Sequence, residues 1–220
     1  MLHPRPAVPI VGIFAGLIFA LSCQRDDPAT PLSPAPADRV DSDGDVYVAQ
    51  LTALNAGVKS DQAVTGRATV VVEGGQITVT VEARGLTPSI QHMQHIHGQA
   101  DGSASSCPTP QRDVNGDGVV DVGEGVPDYG PVIVPLDADL TTSAAVGYPF
   151  ADADGRYSYA SPSASVAAVT AAAQELVPVA ALDLARRAIV IHGVDPAVSG
   201  LDPGLAVGLP VACGTLELVK

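Results

Sequence analysis

The 220-residue sequence predicts an all-β domain, an antiparallel β-sandwich or barrel, and three observations carry that expectation. Short apolar runs recur along the chain, with Gly, Pro and Asp between most of them. One run, in which Ile77, Val79 and Val81 alternate with Thr78, Thr80 and Glu82, has the period of a strand with one buried and one wet face. Only the Ala-rich stretch 164–176 reads as a helix, and it stops ahead of Pro178.

The strands follow in chain order. Residues 47–51 make the first apolar run, and residues 68–72 the second. Gly74-Gly75 separates 68–72 from 77–82 and suits the positive φ of a tight turn, so these two runs are expected to pair as a hairpin. Residues 132–134, 157–159, 188–192 and 215–219 supply the remaining runs, and no internal repeat is visible.

Ahead of the strands, a weakly basic start containing Arg5 leads into an uncharged apolar run from Ala7 to Leu21. That layout predicts a secretory signal peptide over residues 1–22, because the run is shorter than the roughly 20 residues a membrane-spanning helix needs. It ends at Ala20-Leu21-Ser22-Cys23, which resembles a lipobox with Ala20 at the position usually held by Leu. The resemblance implies a lipid on Cys23 as the first mature residue, and hence a membrane as one partner. Gln24, where retained lipoproteins carry Asp, fits export to an outer membrane, periplasmic face or cell surface. Residues 23–45, rich in Pro, Ala, Ser and Asp, hold too little apolar surface to offset the cost of ordering and are expected to be a flexible tether. Residues 46–220, about 175 in number, suit one domain with room for a core.

The 24 acidic residues all follow the leader, and Arg5 is the one basic residue within it. Ten basic residues then face 24 acidic ones, a mature net charge of −14. Nucleic acid is excluded as a partner on that ground, since no basic stripe exists to neutralise phosphates. With Cys23 set aside, Cys107 and Cys213 remain as an even pair in an exported chain, which favours a disulfide over two separate buried thiols. Closing so long a loop contributes on the order of 4 kcal/mol by chain entropy.

Four histidines remain after the leader takes His3: His92, His95, His97 and His192. His95 and His97 are two apart, so on a strand both project from one face and can share a metal. His192 closes an apolar run whose end can bring a third imidazole to the same place. Three imidazoles with no neighbouring carboxylate or thiolate suit copper or zinc, and argue against calcium or an iron-sulfur cluster there.

Gly85-Leu86-Thr87-Pro88 followed by His92-Met93-Gln94-His95-Ile96-His97-Gly98 resembles the copper-ligand strand of the Cu/Zn superoxide dismutases. Arg187-Ala188-Ile189-Val190-Ile191-His192 and Ala212-Cys213-Gly214 resemble that family's C-terminal third, in the same order. The resemblance, spread over most of residues 46–220, implies a Greek-key β-sandwich or barrel, copper on His95, His97 and His192, a Cys107–Cys213 disulfide, and His92 as a structural residue behind the ligands. It also implies superoxide as substrate. Two departures bear on that last implication. The chain has no histidine between His97 and His192, so the family's bridging histidine and its zinc site are excluded by inventory. The family's active-site arginine, three residues before the second cysteine, is replaced by Pro210. A site without that guanidinium, on a protein of net charge −14, loses both local stabilisation and steering of an anion.

The N-terminal half, with Tyr47-Val48-Ala49-Gln50-Leu51, Thr65-Gly66-Arg67-Ala68 and His95-Ile96-His97-Gly98, also resembles the CHRD domains of chordin and bacterial envelope proteins, which are not established catalysts. The segment Ala212-Cys213-Gly214 favours the dismutase-like alternative. Two functions therefore stand side by side: a copper-only, weakly active dismutase-like oxidoreductase, and a non-catalytic envelope module whose protein partner the sequence does not name.

Residues 113–124 fit a twelve-residue calcium loop at its diagnostic positions. Asp113, Asn115 and Asp117 offer side-chain oxygens, Gly118 the turn, Val119 its carbonyl, Asp121 a direct or water-bridged contact, and Glu124 two oxygens. The flanks, residues 107–110 and 126–128, contain Pro and predict no helix, so the expectation is a calcium loop inserted at about 108–130 without a full EF-hand. The shorter Asp/Gly runs 41–45 and 152–155 lack the rest of the ligand set and read as turns.

Overall fold

Alternation in the sequence becomes sidedness in the sheet. In the computed structural model, which describes residues 44–58 and 64–220, Ile77, Val79 and Val81 are fully buried while the residues between them face outward or to the rim. Burying a side chain of that kind contributes about 1.5–3 kcal/mol, so a one-residue slip of this strand would turn three such contributions into exposure. The hairpin forms where expected: β2 (Thr65–Glu73) pairs antiparallel with β3 (Gln76–Arg84), closing at Glu73 and Gln76 around Gly74 and Gly75, both at positive φ.

The other strands are β1 (Asp45–Ala53), β4 (Gln94–His97), β5 (Val132–Pro135), β6 (Tyr157–Ala160), β7 (Ala164–Ser165), β8 (Ala188–His192), β9 (Pro210–Thr215) and β10 (Glu217–Leu218). They run β5-β4-β8-β9-β1-β2-β3-β6, with β10 beside β1 and β7 beside β3, and the pairings are antiparallel. The sheet curls into a half-barrel, the all-β architecture expected. Its concave side holds the main core, to which Leu51, Val70, Val79, Ile96, Ile133, Ile189, Ile191 and Leu216 contribute.

Helices fill the connections: α1 (Val122–Tyr129), α2 (Val166–Leu176), α3 (Pro196–Ser199) and α4 (Pro203–Gly208). The expected helix over 164–176 is α2, whose first two residues instead add β7 to the edge of β3. Other expectations need correction. The last run, expected as one strand over 215–219, divides into β9, which starts five residues earlier, and the short β10. A proline start, a glycine near its end and burial on both faces hide β9 from any reading by alternation. The region 126–128 is helical after all. Asp121 and Glu124 form a reciprocal capping box that starts α1, and the helix carries Pro127 within it.

The leader, Cys23, Gln24 and the tether up to residue 43 lie outside the described residues. Asp45, expected as the last tether residue, already opens β1.

Candidate metal centre

The metal-facing surface follows from the pleat of β4 and β8. Ile96 pairs with Ile189 and joins the main core, so His95 and His97 point to the opposite, convex face, together with Ala188, Val190 and His192. That face is covered by the connection between β4 and β5, which contains α1 and is tied to β9 by the Cys107–Cys213 disulfide, with Cα atoms 5.8 Å apart. Tyr129, Ala188, Val190 and Cys213 form a small second core beneath it.

His95, His97 and His192 converge there. One ring nitrogen from each lies within 4.8 Å of the others, and among the described residues this is the one such group suited to a metal ion. The three are 9%, 2% and 3% exposed. The second nitrogens explain how the rings are aimed. His97 Nδ1 is 2.9 Å from the carbonyl oxygen of Gly130, and His192 Nδ1 is 2.8 Å from that of Gly208. A carbonyl only accepts, so each Nδ1 carries the proton and each Nε2 keeps a lone pair. The two Nε2 atoms face each other at 3.4 Å. With no proton between them, that approach is a repulsion that a cation relieves. His95 is turned the other way: its Nε2 meets the Tyr148 hydroxyl at 2.8 Å, while its Nδ1 is buried with no hydrogen-bond partner.

Burial sets the protonation of the group. It pushes His97 down to about 3, with His192 adding repulsion and the Gly130 carbonyl opposing, and pushes His192 down to about 4 against the Gly208 carbonyl. His95 is held well below the ordinary histidine value by burial, then by His192 and His97. The three rings are therefore neutral at physiological pH, and His97 and His192 present lone pairs without first releasing protons. This all-nitrogen donor set, which includes a buried nitrogen without a hydrogen-bond partner, can hold a metal ion.

The three imidazoles are supported by residues on neighbouring segments, among which Gly130 and Tyr148 carry no signal in the sequence. Gly130 sits at φ +85° at the end of α1, and a Cβ there would run into the backbone of residues 98 and 99, so the carbonyl reaches His97 only because residue 130 is glycine. Arg187, 2% exposed, lies across Gly98 and donates to the carbonyls of Leu182, Gln99 and Ala181, which fixes the end of β4. Tyr148 is 8% exposed, and burial followed by the nearby Asp137 charge pushes its hydroxyl up to about 12, so it stays protonated. His92 is buried against the backbone of His192. Its Nδ1 lies 3.1 Å from the His192 carbonyl and its Nε2 3.0 Å from that of Thr87, and burial lowers its proton affinity. Pro210 pairs with His192 across β8 and β9 and gives its carbonyl to Asn55 Nδ2 at 2.9 Å.

The acidic loop is folded on itself. Asp113 accepts from the N–H groups of Gly116, Asp117 and Gly118, Asn115 from Asp117, and Asp117 from Val119. Glu124 accepts from Val114, Asn115 and Asp121, and Asp121 in turn from Glu124. Its carboxylates do not form a group within metal-ligand distance comparable to the histidines. The run 152–155 is the turn expected, with Asp152 accepting from Asp154 and Arg156. The chain matches no protein-family model and no curated protein.

Proposed function

We propose that this chain is an exported, lipid-anchored envelope protein whose β-domain holds copper at His95, His97 and His192. The observation that carries the reading is the opposed pair of Nε2 lone pairs on His97 and His192, with the partnerless His95 Nδ1 beside them. Copper is preferred to zinc because it tops the divalent affinity series for nitrogen donors. When bound there, copper supplies one-electron chemistry between Cu(II) and Cu(I). The protein's part is to keep three neutral imidazoles aimed at one point through Gly130, Gly208 and Tyr148, and to keep bulk water away from them.

Superoxide dismutation by this site is weak. Position 210 is a buried proline where the dismutase-like pattern needs a guanidinium, no bridging histidine exists, and the net charge opposes anion approach. A dismutase-like descent is preferred to a CHRD-like one because Cys213, within Ala212-Cys213-Gly214, is a disulfide partner. Calcium is the ion proposed for Asp113, Asn115, Asp117, Val119, Asp121 and Glu124, as an organiser of the connection over the histidines. Export is supported by the disulfide, which an oxidising compartment permits, and by the leader.

The deciding experiment is copper titration of the purified domain with electron paramagnetic resonance. One equivalent of Cu(II) in a nitrogen-rich environment, lost in His95→Ala and His192→Ala, is expected. Failure of the wild type to take up copper would remove the metal function and leave a non-catalytic envelope module. Labelling cells with a clickable fatty acid should mark the wild type and not Cys23→Ser.

A further inference from the structure

Of the three imidazoles, His97 and His192 have no choice of tautomer, because backbone carbonyls hold their outer nitrogens. His95 differs. Its outer nitrogen, Nε2, meets the Tyr148 hydroxyl at 2.8 Å, and a hydroxyl both donates and accepts. The two rings meet edge-on, with centroids 5.5 Å apart and planes at 85°, in a place that leaves Tyr148 8% exposed. The tyrosine is itself held: Gln91 Nε2 donates to its backbone carbonyl at 2.7 Å, and Asp137 and Ala138 fasten the preceding segment at Val146.

The geometry points to Tyr148 as a positioning residue that lets His95 exist in two tautomers, one for the metal-free site and one for the loaded site; this rests on the three histidines being a metal site. In the metal-free state Tyr148 donates to Nε2, and the imidazole proton sits on Nδ1. That N–H then faces the lone pairs of His97 and His192, which face each other at 3.4 Å, and softens their repulsion. In the loaded state the proton sits on Nε2 and is donated to the Tyr148 oxygen, and Nδ1 turns its lone pair on the metal. The imidazole carries one proton and Tyr148 keeps its own in both states, so loading releases no net proton. A carbonyl in place of the hydroxyl would fix the loaded tautomer permanently and leave three lone pairs opposed in the empty site. The orphaned His95 Nδ1 is the atom whose role changes.

The test is Tyr148→Phe, which keeps the ring and removes the hydroxyl. Nitrogen-15 correlation spectra of the metal-free protein should show His95 protonated on Nδ1 in the wild type and shifted toward Nε2 protonation in the variant. In copper-loaded protein, electron spin-echo modulation should show altered quadrupole couplings of the remote His95 nitrogen in the variant, and copper affinity should fall by about tenfold, the low end for losing an outer partner of a ligand. A purely structural tyrosine would lower the melting temperature and leave both the tautomer and the remote-nitrogen couplings unchanged; that result overturns the proposal. A metal-free wild type with His95 protonated on Nε2 overturns it as well, and needs no variant to fold. If the wild type takes up no copper, the metal reading fails separately, and the tautomer comparison still decides whether Tyr148 controls His95.

Discussion

Tyr129 packs edge-on against His97, with ring centroids 4.6 Å apart, and the next residue, Gly130, supplies the carbonyl that orients the same imidazole. One turn of chain at the end of α1 therefore both supports the ring and sets its tautomer. Tyr129 is fully buried and its hydroxyl donates to the Val122 carbonyl, which joins the two ends of that helix.

Replacing Tyr129 by Ala should thus cost more than an ordinary core truncation at the site. The cavity alone is expected to lower stability by about 3–5 kcal/mol. Copper affinity should fall with it, because Gly130 loses its anchor. Urea unfolding of the metal-free variant beside copper titration checks both; unchanged copper affinity would uncouple α1 from the site.

Metal-free stability should depend on pH in one direction. An unfolded imidazole takes its proton near pH 6.5, whereas the fold holds His192 to about 4, His97 to about 3 and His95 well below its ordinary value. Between those values the unfolded chain binds more protons than the fold, so stability is complete above about 6.5 and declines as the pH falls toward 4 and then 3. Urea midpoints measured across that range should fall more steeply for the wild type than for the His95→Gln/His97→Gln/His192→Gln protein. Parallel slopes would contradict neutral burial of the three rings.

Glu124 is asked to do two things: close the capping box of α1 and serve as the twelfth residue of the acidic loop. Glu124→Gln separates them, since glutamine also closes a capping box and cannot offer two carboxylate oxygens. Glutamine can keep its one oxygen on the Asp121 N–H but then turns an amide donor toward the N–H groups of Val114 and Asn115, so the variant should lose about 1 kcal/mol without calcium. It should show no upward shift on adding millimolar calcium, where the wild type does. Equal shifts would make the loop a turn only.

Reducing the Cys107–Cys213 bond frees a loop of sequence separation 106. Cys107→Ser/Cys213→Ser should lose on the order of 4 kcal/mol by chain entropy. The buried side of the bond, at Cys213, makes the loss larger if the serine hydroxyl there finds no partner. Thermal melts of reduced, oxidised and double-variant protein give the comparison.

The readable parts of this molecule were those in which side-chain type repeats with the period of the backbone. β3 and its Gly74-Gly75 hairpin are of that kind, and the His95–His97 spacing belongs with them. α3 and α4 are too short to show an apolar period, although each carries a local signal, Asp195 before Pro196 and Asp202 before Pro203, with the aspartate capping a helix that proline begins. α1 is masked in the sequence because Asp121 and Glu124 satisfy a capping box and the pattern of a calcium loop with the same two side chains. The outer partners of the ligands were not legible at all. Gly130 and Gly208 act through backbone carbonyls, which every residue has, and Tyr148 reaches His95 across 53 positions of sequence. Only the crossing of chain segments in the fold creates those contacts.

The first and last strands end on the same rung. Val46 donates to the Lys220 carbonyl at 2.9 Å, and Val219 donates to that of Val46 at 2.8 Å. A peptide fused to Lys220 therefore emerges beside the point where the chain enters the sheet, and a purification tag placed there competes for space with whatever precedes Val46. The same adjacency makes the domain a candidate for circular closure: a linker of a few residues from 220 to 46 would join its ends without stretching either strand, and every residue that faces the histidines would keep its place.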